Sequence, residues 1–231
     1  MTVENVTIKT EAAFCIPIGL AEIPQEICDD LKQYEGMTQD LSKIDQNKIN
    51  FNLLDKNLPL KQALTDIFAT WINSLLGYPH KWMMTTSWIT ENTTGTEMKL
   101  HNHRNCLYSA VLYFDKCATD HPSLYFVSPI QDQLSKEFFV ESKEDNPFTA
   151  EVYKAPYKER QMLFFPSYVK HLHPSFNSSI NRKSFACNFF PVGNFSSNCD
   201  SSFNTEWFNQ VGAKGNNFTN EKKSKAKGGF G

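Results

Sequence analysis

Four of the six histidines fall in two His-x-His pairs, His101-Asn102-His103 and His171-Leu172-His173. In extended backbone, residues i and i+2 point to the same face. One such pair can therefore offer a metal two adjacent nitrogen ligands while a distant strand supplies the third. Each pair stands at the edge of a segment whose composition predicts a strand. An isolated His-x-His is often an accident of sequence; two of them in one β-rich chain point to metal chemistry. Eleven residues after His171 comes Arg182-Lys183-Ser184. An arginine beside a lysine on a strand is ordinarily surface, and it gains a chemical meaning here from the histidine upstream.

The second pair lies in Phe164-Phe165-Pro166-Ser167-Tyr168-Val169-Lys170-His171-Leu172-His173-Pro174, and Arg182-x-Ser184 leads into Phe185-Ala186-Cys187-Asn188-Phe189. This F-P-S-x-x-x-H element, trailed by R-x-S and a strand ending in F-x-x-N-F, resembles the distal half of the site in 2-oxoglutarate/Fe(II)-dependent oxygenases. The first pair, running on through Leu107-Tyr108-Ser109-Ala110-Val111-Leu112-Tyr113, is similar to the H-x-H…S-G-V-Y-Y segment of a poorly characterised bacterial and phage branch of that superfamily. Trp88 and a polar turn through Gly95 precede it, as in that branch. The resemblance covers about residues 82 to 192.

The resemblance implies a non-haem Fe(II) dioxygenase that couples oxidative decarboxylation of 2-oxoglutarate to oxidation, in the simplest case hydroxylation, of a substrate the sequence does not name. It implies Fe(II) held by His101, His103 and His171, with 2-oxoglutarate and dioxygen as cosubstrates. The far carboxylate of 2-oxoglutarate then falls to Arg182, with a further hydrogen bond from Ser184. The residue types suit these tasks. Ligands on one face of Fe(II) leave positions for a keto acid and dioxygen, and a guanidinium forms two parallel charge-assisted bonds to a carboxylate where lysine would act as a point charge. His173 competes with His171. The spacing to Phe165-Pro166-Ser167 and to Arg182 that the family shows selects His171, with His173 supporting from outside the ligand set.

The chain departs from the family pattern at His103, where the commoner first pair ends in Asp or Glu, so the three ligands are all neutral nitrogens. Ala110 and Ser123 replace glycines and touch no implied ligand. Two other readings compete. Gly95 stands six residues before His101 as in a cupin metal site, but the glutamate such a site needs after the second histidine does not come before Glu137. A jelly-roll structural or binding protein of a phage would keep the pocket without turnover, because the fold alone does not decide function.

The elements that must carry these residues are short. After Pro79, β-rich runs separated by polar turns predict strands at Trp82–Thr90, Glu97–His101, Leu107–Phe114, Ser123–Val127, Ala150–Tyr153, Gln161–Phe165 and Lys183–Val192. With no helix between them long enough for a parallel crossover, they predict an antiparallel double-stranded β-helix (jelly roll), mainly β with flanking helices (α+β). Before it, Ala13–Leu20 reads as an edge strand interrupted by Pro17, and Pro24 opens a helix through Leu31. Leu60, Leu64, Ile67, Trp71 and Leu75 recur at helical spacing up to a stop at Gly77 and Pro79. This organisation predicts one domain over residues 1–192, with a helical part at 1–80 and the β-helix core at 81–192. Residues 193–231 form an extension whose Asn-, Ser-, Gly- and Lys-rich end is expected to be disordered. The segment from Pro129 to Pro147 reads as a polar insertion between strands.

A formal net charge of -2 and a pI near 6.3 weigh against free nucleic acid as a partner, since phosphate-binding proteins need a basic patch. No run approaches the ~20 apolar residues of a spanning helix, and the first residues lack a basic start followed by an apolar stretch, so a cytoplasmic protein is expected, in the host cytoplasm if phage-encoded. The six cysteines form no C-x-x-C pair and read as reduced, mostly buried thiols. Nothing in the sequence speaks to oligomeric state.

Overall fold

The computed structural model describes residues 15–34, 50–78, 80–130, 146, 149–195 and 203–205. Two antiparallel sheets form the body. One has five strands in the order β1 (Gly19–Glu22), β7 (Gln161–Pro166), β4 (Tyr108–Tyr113), β9 (Arg182–Val192) and β2 (Lys81–Asn92). The other has four, in the order β3 (Met98–His101), β8 (His171–His173), β5 (Tyr125–Val127) and β6 (Val152–Lys154). This is the double-stranded β-helix expected from the strand pattern. A small hairpin, β10 (Asn194–Phe195) with β11 (Phe203–Asn204), follows, and the buried Thr205 donates its hydroxyl to the Pro191 carbonyl at 3.1 Å.

The five-stranded sheet is covered on its outer face by helix α2 (Leu58–Leu76), which has Asn57 as N-cap accepting from the Leu60 amide and Pro59 in its first turn. Gly77 ends it in the left-handed conformation, φ 64°, that a side chain would resist. The buried stripe is Leu60, Leu64, Phe68 and Ile72, a strict four-residue repeat. It is rotated from the expected face: Ile67 and Trp71 are only partly buried, and Leu75 is exposed. Phe68 is the centre of this core, stacked on Phe189 with ring centroids 4.1 Å apart and packed edge-on against Trp82. Helix α1 (Gln25–Lys32) starts one residue later than expected, with Pro24 as its N-cap, and seals the core with Cys28 and Leu31.

The first strand also needs correction. Residues 15–18 are not strand, and β1 begins at Gly19, two residues beyond Pro17, because proline cannot donate to a ladder. It does lie at the sheet edge. Gly19 is there for space, since a Cβ would sit 2.5 Å from Trp71 Cε2. The three-residue strand β8 was missed as an element of its own; the sequence places it between Pro166 and Pro174 with too few residues for an alternating pattern. Of the described cysteines, Cys28 and Cys187 are buried, Cys106 and Cys117 partly so, and Cys15 is exposed; none of them forms a disulfide. The expected polar insertion, apart from residues 129, 130 and 146, and the tail beyond residue 205 lie outside the described residues.

Candidate metal and anion site

Alternation along the long strands sorts their side chains into two layers. On β9, Phe185, Cys187 and Phe189 face the helices, and Arg182, Ser184, Ala186 and Asn188 face the space between the sheets. Register then builds rungs across this inner face. One rung is polar: Thr86, Asn188 and Ser109 stand opposite one another on β2, β9 and β4. The next is apolar, with Trp88, Ala186, Val111 and Leu163. Beyond it come Thr90 opposite Ser184, then Asn92 opposite Arg182.

Three histidines gather at the polar rung. His101 pairs with His171 in the β3–β8 ladder, and His103 follows two residues after His101 with its amide donating to the Ser167 carbonyl at 3.0 Å. One ring nitrogen from each lies within 4.8 Å of the others. The ring centroids are 4.4 Å apart for His101–His171, 5.1 Å for His103–His171 and 5.4 Å for His101–His103. Among the described residues, no Asp, Glu or Cys joins the cluster.

The hydrogen bonds decide which nitrogens are available. His101 Nδ1 lies 2.8 Å from the Lys99 carbonyl and His171 Nδ1 lies 3.1 Å from the Val169 carbonyl. A carbonyl only accepts, so both rings donate from Nδ1, which leaves Nε2 as the nitrogen a metal could take. His103 Nδ1 is 2.7 Å from Asn188 Oδ1 and 3.0 Å from Ser109 Oγ. Burial lowers the pKa of His103, an effect the nearby His101 adds to, and depresses that of His171 to about 3. Two of the rings are thus held neutral, the form that binds a metal. The donor set fits a divalent metal that accepts imidazole, such as Fe(II), on one face.

Arg182 lies at the other end of β9's inner face. It is 2% exposed, with Nε donating to the Pro122 carbonyl at 3.2 Å and Nη2 to the Tyr113 hydroxyl at 3.4 Å, and its guanidinium stands over the rings of Tyr113 and Tyr157. No carboxylate of the described residues pairs with it. A buried cation with only neutral partners is a site for an anion. Ser184 is engaged with Thr90, their hydroxyls 2.9 Å apart. His173, buried one pleat beyond His171, stays out of the cluster: Nδ1 bonds the Pro174 carbonyl and Nε2 accepts from Asn92 Nδ2 at 3.0 Å. Burial, then the nearby Arg182, lowers its pKa to about 4. A cavity of about 520 Å³ is lined by Cys117, His121, Ser123, Lys154 and Tyr157, and none of His101, His103 and His171 lines it.

Of the five site residues anticipated from sequence, the three histidines come together, and Arg182 and Ser184 share the inner face of β9 with Asn188. Tyr113, Ser109, Ser167, Thr86 and Asn188 were not anticipated. Strand alternation alone would have placed Asn188 on the same face as Arg182, an even number of residues away.

A family model described as "Putative 2OG-Fe(II) oxygenase" matches residues 86–188, the stretch from Thr86 to Asn188 that carries the whole of this arrangement. Among curated proteins, none matches the chain. Solved structures show the same fold at low identity. HygX from Streptomyces hygroscopicus, with nickel, 2-oxoglutarate and hygromycin B bound, aligns at 10% identity over 76% of this chain and 83% of its own, TM-score 0.51. EctD from S. alaskensis in its apoform aligns at 11% identity over 75% of this chain and 72% of its own, TM-score 0.52. Against an oxidoreductase of the 2OG-Fe(II) oxygenase family from Burkholderia pseudomallei, the chain spans 59% of that protein's length, with 58% of its own aligned, at 9% identity and TM-score 0.41. The family model and the histidine cluster support Fe(II) and 2-oxoglutarate as metal and cosubstrate. Among the described residues, no helix is long and apolar enough to cross a membrane.

Proposed function

We propose that the protein is a non-haem Fe(II) dioxygenase that couples oxidative decarboxylation of 2-oxoglutarate to oxidation, in the simplest case hydroxylation, of a second substrate. The observation that carries this reading is the order of rungs along β9. A three-histidine face stands at one end and a buried, carboxylate-free Arg182 at the other, with an apolar rung of Trp88, Ala186 and Val111 between them. Six residues of extended strand separate Asn188 from Arg182, about 20 Å of backbone. That span suits a guanidinium, a five-carbon dianion with two central methylenes, and a metal held by an imidazole.

His101, His103 and His171 would hold Fe(II), and Arg182 would take the far carboxylate of 2-oxoglutarate, with Ser184 able to donate to it when Thr90 donates to Ser184. The bound pair supplies activation of dioxygen at the expense of the keto acid. The chain's own part is to hold the three rings together with each Nδ1 engaged, to fix the dianion by one cation, and to exclude water with the aromatic wall of Trp88, Phe126 and Phe165. Arg182 in a dry site discriminates for a dianion, because an analogue without the second carboxylate leaves the guanidinium unpaired.

Incubation of the Fe(II)-loaded protein with 2-oxoglutarate and air, with succinate measured over time, tests the proposal. Succinate formed in proportion to enzyme, and lost in His171→Ala, is the expected result. No succinate above the variant's background, with or without candidate substrates, counts against it.

A further inference from the structure

We infer that Asn188 is the residue that positions His103, by presenting Oδ1 to Nδ1 so that Nε2 keeps its lone pair for the metal. The inference rests on the metal-site reading above and adds to it the device that holds its least usual ligand. His101 and His171 are oriented by backbone carbonyls two residues before them, Lys99 in β3 and Val169 in the turn that leads into β8. His103 has no such carbonyl. Its Nδ1 meets a side-chain amide, and an amide can present either an acceptor or a donor.

The surrounding bonds present the acceptor. Asn188 Nδ2 donates to Thr86 Oγ1 at 2.8 Å, with Oδ1 toward the histidine. Ser109 donates its hydroxyl to the same Oδ1 at 2.8 Å and lies 2.8 Å from Ser167 Oγ and 3.0 Å from His103 Nδ1. Oδ1 thus receives two donors, and the reversed amide would turn an N–H toward His103 Nδ1 and push the His103 proton to Nε2, where it would block a metal. The network is built by register. Thr86, Asn188 and Ser109 form one rung, and the register shift between Met84 and Thr86 inserts Thr85 as an extra residue, bringing Thr86 opposite Asn188. Bulges of this kind re-aim side chains beside functional sites. Ser109 and Ser167 are 0% and 1% exposed, so no water competes for these hydroxyls.

Two measurements test the inference. Nitrogen-15 NMR of histidine-labelled, metal-free protein at mildly alkaline pH should show the Nδ1–H tautomer at His103, identified by its loss in His103→Ala. Anaerobic Fe(II) titration against a competing chelator should show Asn188→Leu weakened by about 10- to 100-fold, the usual cost of losing a support to a metal-bound histidine. Asn188→Asp can only accept at that position, and should keep affinity equal to or above the wild type. Thr86→Val, which frees the amide to turn over, should weaken binding less than Asn188→Leu. An Nε2–H tautomer in the wild type, or an Asn188→Leu affinity within about twofold of it, would overturn the inference. If Asn188→Leu does not fold, Asn188→Asp decides: a loss of affinity as large as that expected for the leucine variant would mean that Asn188 does not act as an acceptor. Failure of the wild type itself to bind Fe(II) would overturn the metal-site reading instead, and the tautomer would still report on Asn188.

Discussion

His101 stands directly opposite His171 in the antiparallel ladder of β3 and β8, although Met98, three residues before His101, is paired with His173, only two residues beyond His171. The extra residue in β3 is a bulge, and it lets Met98 pack inward against the apolar cluster while His101 also reaches the site. Directly opposed residues bring their Cβ atoms to about 4.5–5.5 Å, close enough for one ion to bridge both rings. The histidine cluster is therefore a consequence of strand register as much as of residue type.

Insertion of one alanine between Leu100 and His101 should break this register, whereas removal of Leu100 would leave Met98 and His101 two residues apart and still opposite His173 and His171. A one-residue change in register turns a side chain to the other face of a sheet, so the insertion variant should keep its far-ultraviolet circular dichroism and lose bound iron, measured by elemental analysis after desalting. Stoichiometric iron in a folded insertion variant would show that the register does not place His101.

His103 is the proposed ligand at which this chain leaves the commoner pattern. His103→Ala should lose most bound iron, and His103→Asp should recover it by rebuilding a face of two histidines and one carboxylate. Elemental analysis of these two variants beside His101→Ala and His171→Ala, at matched folding, checks this. Retention of full iron by His103→Ala would make His103 a bystander in a two-histidine site.

Arg182→Ala should leave metal content unchanged and weaken 2-oxoglutarate by about 1.5–3 kcal/mol, the range for a hydrogen bond to a charged group. Arg182→Lys should restore part of that loss, because an ammonium keeps the charge without the paired geometry. Calorimetric titration gives the affinities. A ligand that binds only the folded state raises the melting temperature, so 2-oxoglutarate should shift the wild type and leave Arg182→Ala nearly unmoved.

Away from the site, Gly19→Ala should destabilise the fold by about 1–3 kcal/mol, the typical cost of overpacking. The added methyl would meet the Trp71 ring at 2.5 Å, and Trp71 is itself stacked on Phe164. Urea unfolding of the two proteins measures the difference.

Much of this architecture can be read from residue types. The β-rich runs after residue 80 carry a period of two with turn residues between them, and Asn57, Pro59 and Gly77 bracket α2 by cap chemistry that is local in sequence. What could not be read depends on partners distant in the chain. The face of α2 that is buried turns on Phe68 finding Phe189, more than a hundred residues away, and no helical periodicity chooses between overlapping apolar stripes. Strand β8 is three residues long and exists because β3 and β5 flank it. At the site, histidines at i and i+2 stand out by spacing alone, whereas Arg182 does so only through the resemblance of Arg182-x-Ser184 after His171 to the family's R-x-S element. Asn188, Ser109 and Thr86 do not, because each is an ordinary polar residue until the sheet aligns them in one rung.

The visible absorption of anaerobic, Fe(II)-loaded protein titrated with 2-oxoglutarate bears most directly on the central claim. Chelation of the metal by the keto acid end should bring up a weak charge-transfer band that saturates with the cosubstrate. The band should require far more 2-oxoglutarate in Arg182→Ala and be absent in His171→Ala. No band in the wild type, together with no calorimetric binding of 2-oxoglutarate, would contradict an Fe(II)- and 2-oxoglutarate-binding site at His101, His103, His171 and Arg182.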